Sequence, residues 1–280
     1  MSMRIYRVGG RPWLWSGVPP LRESPELKLV LALAALWLVP ASAQAAACRL
    51  DHGVVVVPAS VAGVAGDYIL DTGSPTTQLH ETRAQMAGLP PAFAGGVRID
   101  RLRLADRPVA VVDLDARTYA FPTPIAGVIG ADILSAYVVD VSFAPCRVSI
   151  WPVDKAPRFH ADTFLTMRLI DGRPVVTAAV ADGPRTAVGG FVVATGLDSA
   201  TRLDEALASV PGAGALDLAP YGPRRAALRA LSLAGELFEA LTAGLQPPVE
   251  GAIGAVGPPV LSRWSLRFDF PRGRLLLRRP

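Results

Sequence analysis

The stretch Tyr68-Ile69-Leu70-Asp71-Thr72-Gly73-Ser74 decides how this chain is read. An apolar run ends on an acid, and Thr-Gly follows at once, so the backbone turns sharply and the carboxylate is held at a strand end. A second stretch, Phe191-Val192-Val193-Ala194-Thr195-Gly196, repeats the pattern 123 residues later without the acid. Working outward, Gly127-Val128-Ile129-Gly130 finds a counterpart in Gly251-Ala252-Ile253-Gly254 at one residue more than that spacing. Leu134-Ser135-Ala136-Tyr137 answers Leu261-Ser262-Arg263-Trp264 at 127. Three landmarks in one order at nearly one spacing predict a tandem duplication. The expected organisation is a leader over 1–47, a first unit over 48–155 and a second over 156–280, with Val153 to Asp162, which contains Pro157, as the link.

Each unit is expected to be β-rich. Apolar residues make up 51% and aromatics 7%, with 26 Gly and 26 Pro, a profile that suits short strands joined by turns. Val97 to Val112 alternates around Leu102 and Leu104 and reads as a hairpin broken at Asp106-Arg107-Pro108. Its counterpart, Ala226 to Leu245, has the composition of a helix. The repeat overrides that preference, placing Leu231 and Leu233 at the positions of Leu102 and Leu104 with Ala234-Gly235 at the turn. Short helices are expected at His80 to Ala87 and at Leu203 to Ala208. Gly95-Gly96 and Tyr221-Gly222 are candidates for flap hairpins or plain loops.

The charge of +4 comes from dispersed arginines with no aromatic-interleaved cluster, which argues against nucleic-acid binding. Arg22 and Lys28 precede the apolar run Leu29 to Val39, which Pro40 ends before Ala41-Ser42-Ala43. That is the pattern of a secretory signal peptide, with an uncleaved membrane anchor as the alternative. Export to the periplasm or cell envelope puts Cys48 and Cys146 in an oxidising compartment, where they can pair; the competing reading makes Cys48 a lipidated first residue. Two Cys and the scattered His52, His80 and His160 do not make a metal site, and no cofactor is expected. No Gly-x-Ser-x-Gly elbow is present.

With ILDTGS at 69–74 and VIGADIL at 128–134, repeated in degraded form as VVATGLD (192–198) and AIGAV (252–256), the chain resembles the retropepsin-like and pepsin-like aspartic peptidases, as a bacterial, single-chain, two-lobed member. The resemblance implies a mainly β fold with one or two short helices, in which two pseudo-symmetric lobes flank a cleft. It implies a monomer acting as an aspartic endopeptidase on peptide or unfolded protein. Asp71 would be one catalytic acid, Ser74 would hydrogen-bond its outer oxygen, and Thr72 and Thr195 would tie the two turns together. Gly73 and Gly196 would permit the turns, Gly130 and Gly254 would pack beneath them, and Asp132 would brace the structure. Such chemistry uses two carboxylates sharing one proton. Here Ala194 stands where the second belongs, and Leu197 replaces the hydroxyl residue beside it. Asp198 is the remaining cleft carboxylate, expected to point along the cleft. The alternative to an endopeptidase is therefore a pseudopeptidase that binds extended peptides without cutting.

Overall fold

The computed structural model describes residues 46–205, 207, 219–220 and 225–280. The expected leader, apart from Ala46 and Ala47, and the flap candidate Tyr221-Gly222 lie outside these residues; Ala46 and Ala47 form a short strand paired with Val148 and Arg147. Of the expected helix at Leu203 to Ala208, Leu203 and Asp204 are strand, Glu205 and Leu207 are helical, and Ala206 and Ala208 lie outside the described residues.

Lobe one contains β1 (Val54–Val61), β2 (Val64–Leu70), β3 (Gln78–His80), helix α1 (Glu81–Met86), β4 (Ala92–Ile99), β5 (Leu102–Val112), the helical turn α2 (Asp115–Thr118), β6 (Ile125–Ile129), the turn α3 (Ala131–Leu134), β7 (Val138–Phe143) and β8 (Cys146–Trp151). Lobe two contains β9 (Arg173–Asp182), β10 (Arg185–Val193), β11 (Thr201–Asp204), β12 (Arg225–Leu233), β13 (Glu236–Gln246), β14 (Gly254–Val256), the turn α4 (Pro258–Leu261), β15 (Ser265–Asp269) and β16 (Arg274–Arg278). The molecule is mainly β, as the repeat and composition implied.

The two lobe sheets have one topology. Lobe one runs β1-β2-β6-β3-β5-β4 and lobe two runs β9-β10-β14-β11-β13-β12, and each sheet closes on itself through a second pairing, β1 with β4 and β9 with β12. In each, the strand entering the Thr-Gly turn pairs parallel with a short inner strand, β2 with β6 and β10 with β14. A third sheet of six strands joins the lobes, with β8-β7 from one lobe hydrogen-bonded to β15-β16 from the other.

Strands next to the turns are buried on both faces, which is why they read as unbroken apolar runs. Val55, Val57, Tyr68 and Leu70 belong to the main core, whereas Val54, Val56 and Ile69 pack with Leu114, Ile125 and Val128 on the other face. The corresponding second face in lobe two holds Val175, Val192, Ala194, Leu197, Ala252 and Ala255. Cys48 and Cys146 form a disulfide across lobe one, with Cα atoms 5.3 Å apart. The bridge takes the sulfur that a lipid anchor at Cys48 would need.

Three register expectations are corrected. Leu70 pairs with Ile129 and Val193 with Val256, so the counterpart of Gly130 is Gly257 and the counterpart of Gly254 is Gly127. Gly130 and Gly257 are the residues that cap α3 and α4. The two GxxG strings misled because lobe two carries an extra glycine, Gly251, in the loop before β14. Second, the first hairpin turns at Asp100-Arg101, and Asp106-Arg107-Pro108 lies inside β5. There Asp106, at φ 51, forms a bulge that shifts the register with β4. Leu231 and Leu233 therefore correspond to Val97 and Ile99. Third, Gly95-Gly96 is part of β4 and not a flap tip. The helix-like segment Ala226 to Leu245 forms β12 and β13 around Ala234-Gly235, at φ 54 and 78.

Candidate functional site

The two Thr-Gly turns meet at the bottom of the interlobe cleft. Thr72 and Thr195 are fully buried and bond reciprocally: Thr72 N donates to Thr195 Oγ1 at 3.1 Å and Thr195 N to Thr72 Oγ1 at 3.2 Å. Each hydroxyl then donates to the opposite strand, Thr72 Oγ1 to Val193 O and Thr195 Oγ1 to Leu70 O, both at 2.6 Å. Buried backbone groups at the strand ends are thus satisfied from across the interface, as burial demands. The turns come so close that only glycine fits. A Cβ on Gly196 would lie 2.5 Å from Asp71 Cγ, and one on Gly73 would collide with the Ala194 side chain.

Asp71 is 6% exposed. Its Oδ1 accepts from Gly73 N at 2.8 Å and from Gly196 N at 3.2 Å, one donor from each lobe. Its Oδ2 is held by Arg117 Nη2 at 2.6 Å, and the same nitrogen donates to Gly196 O at 3.1 Å. The expected role of Ser74 is corrected: its hydroxyl donates to Thr76 O at 3.0 Å, and the outer oxygen of Asp71 belongs to Arg117. Ala194 and Leu197, both 6% exposed, occupy the mirror positions with apolar side chains. Asp198 accepts from Arg202 at 2.9 Å and lines the cleft. Asp132 accepts from Thr77 Oγ1 at 2.8 Å, and that hydroxyl accepts from Gly130 N at 3.1 Å, which is a bracing role. Gly257 N instead donates to Ala200 O at 3.0 Å.

Arg117 was missed by sequence reasoning. It sits on α2, in the segment 113–124 between β5 and β6, which is longer than the equivalent segment 247–253 of lobe two. That excess length over the repeat is the signal that could have found it. Leu114, 5% exposed, anchors α2 to the core, and His80 fixes it from the side. Thr82 N donates to His80 Nδ1 at 3.4 Å, and Nε2 lies 3.0 Å from Asp115 Oδ1, so both ring nitrogens are engaged.

The cleft has a volume of about 880 Å³, within the range of ligand sites. Asp71, Arg117, Ala194, Leu197, Arg173 and Arg202 line it, with Tyr119 at its lip, 84% exposed. Among the described residues no three His, Cys, Asp or Glu side chains converge as metal ligands would. No protein-family model matches the chain and no curated protein matches it. Among solved structures it is similar to the aspartic proteinase from Irpex lacteus, at 12% identity over 84% of this chain and 96% of that one, with a TM-score of 0.48.

Proposed function

We propose that this chain is a non-cleaving relative of the pepsin-like aspartic peptidases, exported to the cell envelope, which binds extended polypeptide in its interlobe cleft. The observation that carries the proposal is the Arg117 guanidinium on Asp71 Oδ2 at 2.6 Å, beside Ala194. Hydrolysis by a carboxylate pair needs one ionised acid to activate water and one protonated acid to donate to the scissile carbonyl. Ala194 supplies neither. Arg117 holds the oxygen that would meet the water, and a guanidinium does not give up its proton. The threonine contacts and the cleft remain, so a bound chain has a site without the chemistry.

A second reading, an aspartic endopeptidase acting through Asp71, is favoured by one feature. Oδ1 is presented by backbone N–H groups from both lobes, the posture a catalytic carboxylate needs. The two separate in a cleavage and binding assay on a labelled unfolded protein across pH 3–7. The wild type is expected to bind without cutting, and Ala194→Asp combined with Arg117→Ala is expected to gain cleavage at acidic pH. Cleavage by the wild type that Asp71→Asn abolishes would establish the endopeptidase instead.

A further inference from the structure

The outer face of lobe one carries arginines that the fold does not use. The cross-strand row Ala65, Ser60, Arg98, Arg103, on β2, β1, β4 and β5, corresponds to Val188, Ala179, Ser232, Leu237 on β10, β9, β12 and β13. Lobe two builds the same sheet with a hydroxyl and an aliphatic side chain where lobe one has two guanidiniums, so the arginines are not needed for the fold. Arg98 and Arg103 stand directly opposite each other across the β4–β5 pair. Like charges so placed destabilise a sheet. Among the described residues neither makes an ion pair or side-chain hydrogen bond, nor do Arg83 and Arg101.

Beside them lies a pocket of about 540 Å³ that shares no residue with the cleft. Arg83 from α1 and Arg98 from β4 line it, together with Pro58, Gly66 and Thr123. Two acids are present. Asp67 is engaged by Arg49 at 2.9 Å and Thr123 at 3.1 Å, and the Arg49 hydrogen bond holds its carboxyl below the usual range. Asp100, on the β4–β5 turn, is the second acid of the lining, which it shares with Arg83 and Arg98. A concave site with unpaired guanidinium forks and an uncompensated like-charge pair suits an oxyanion.

We propose that the pocket between Arg83 and Arg98 binds a phosphate group, whose charge offsets the Arg98–Arg103 repulsion. The phosphate can be free or carried on a lipid headgroup, and two arms distinguish these. In one, inorganic phosphate is titrated into the protein by calorimetry. In the other, the protein is sedimented with phosphatidylcholine vesicles with and without phosphatidylglycerol. The variants are Arg83→Ser with Arg98→Ser, and separately Arg98→Ser with Arg103→Leu, the second copying the side chains with which lobe two already folds. The wild type is expected to bind in at least one arm, and each variant to lose about tenfold or more, the loss of charge-assisted contacts. Binding of phosphate assigns a free anion, and binding to the phosphatidylglycerol vesicles alone assigns the lipid. Absence of binding in both arms, or binding that the folded variants retain, would overturn the proposal.

Discussion

Thr72 and Thr195 each use one hydroxyl as donor and acceptor at once, inside a junction without water contact. Replacing Thr195 by the isosteric valine leaves Thr72 N and Leu70 O without partners. At about 1–3 kcal/mol for each orphaned buried group, the expected loss is about 2–5 kcal/mol, measured by urea denaturation. A loss well under 1 kcal/mol would mean that the turns are held by packing alone. Tyr68, buried completely in lobe one, gives a second prediction. Its hydroxyl donates to Val64 O at 2.7 Å, and burial pushes its pKa up to about 12. The folded value lies above the unfolded value of about 10, so the stabilisation is intact below pH ~10 and is lost as pH rises towards ~12. The expected size is about 2–3 kcal/mol. Tyr68→Phe, which copies Phe191 of lobe two, should remove this alkaline step from a pH series of unfolding curves.

Among elements, the paired hairpins β4–β5 and β12–β13 best separate local preference from tertiary demand. Ala, Leu and Glu in β12–β13 favour a helix in isolation. Yet Leu231 and Leu233 alternate into the core with Ser232 between them, because the closed sheet offers burial to a period of two. Both hairpins carry a non-glycine residue at positive φ, Asp106 at 51 in the β5 bulge and Ala240 at 53 in β13, where the register with β12 is unbroken. A side chain in that region costs about 1–2 kcal/mol, while glycine adds about 0.5–1 kcal/mol of unfolded-state entropy. Ala240 is exposed, so Ala240→Gly loses no packing. It is expected to raise stability by about 0.5 kcal/mol, read as a higher denaturation midpoint at unchanged slope. A clear drop would show that the Ala240 strain is absent in solution.

At the scale of the whole molecule, the six-stranded sheet joins the lobes through residues at equivalent places in the two halves. Asp140 and Arg267, related by the repeat, lie opposite each other in β7 and β15. Arg267 Nε and Nη2 donate to the two Asp140 oxygens at 2.6 and 2.7 Å, and Arg267 Nη1 donates to Pro157 O in the link. Two acids at these paired positions would repel, whereas the carboxylate and the guanidinium attract. Arg267, 7% exposed, is expected to cost about 3–5 kcal/mol when replaced by Met, since Asp140 then keeps a partly buried charge without its partner. Adding Asp140→Leu should recover most of that loss, and thermal unfolding of the four variants in the cycle measures the coupling.

The sequence by itself determined the internal repeat, the β character and an acid at only one of the two Thr-Gly turns, because each is written in contiguous residues; the meeting of the turns was implied by the resemblance alone. Tertiary structure decided the rest. The register beyond the turns shifted by three residues, since strand pairing and not string similarity sets which glycine caps which helical turn. Arg117 reached Asp71 from 46 residues away through a segment longer than its equivalent in lobe two. The charge at the centre of the cleft is a property of two distant segments brought within hydrogen-bond reach, and only the folded chain brings them there.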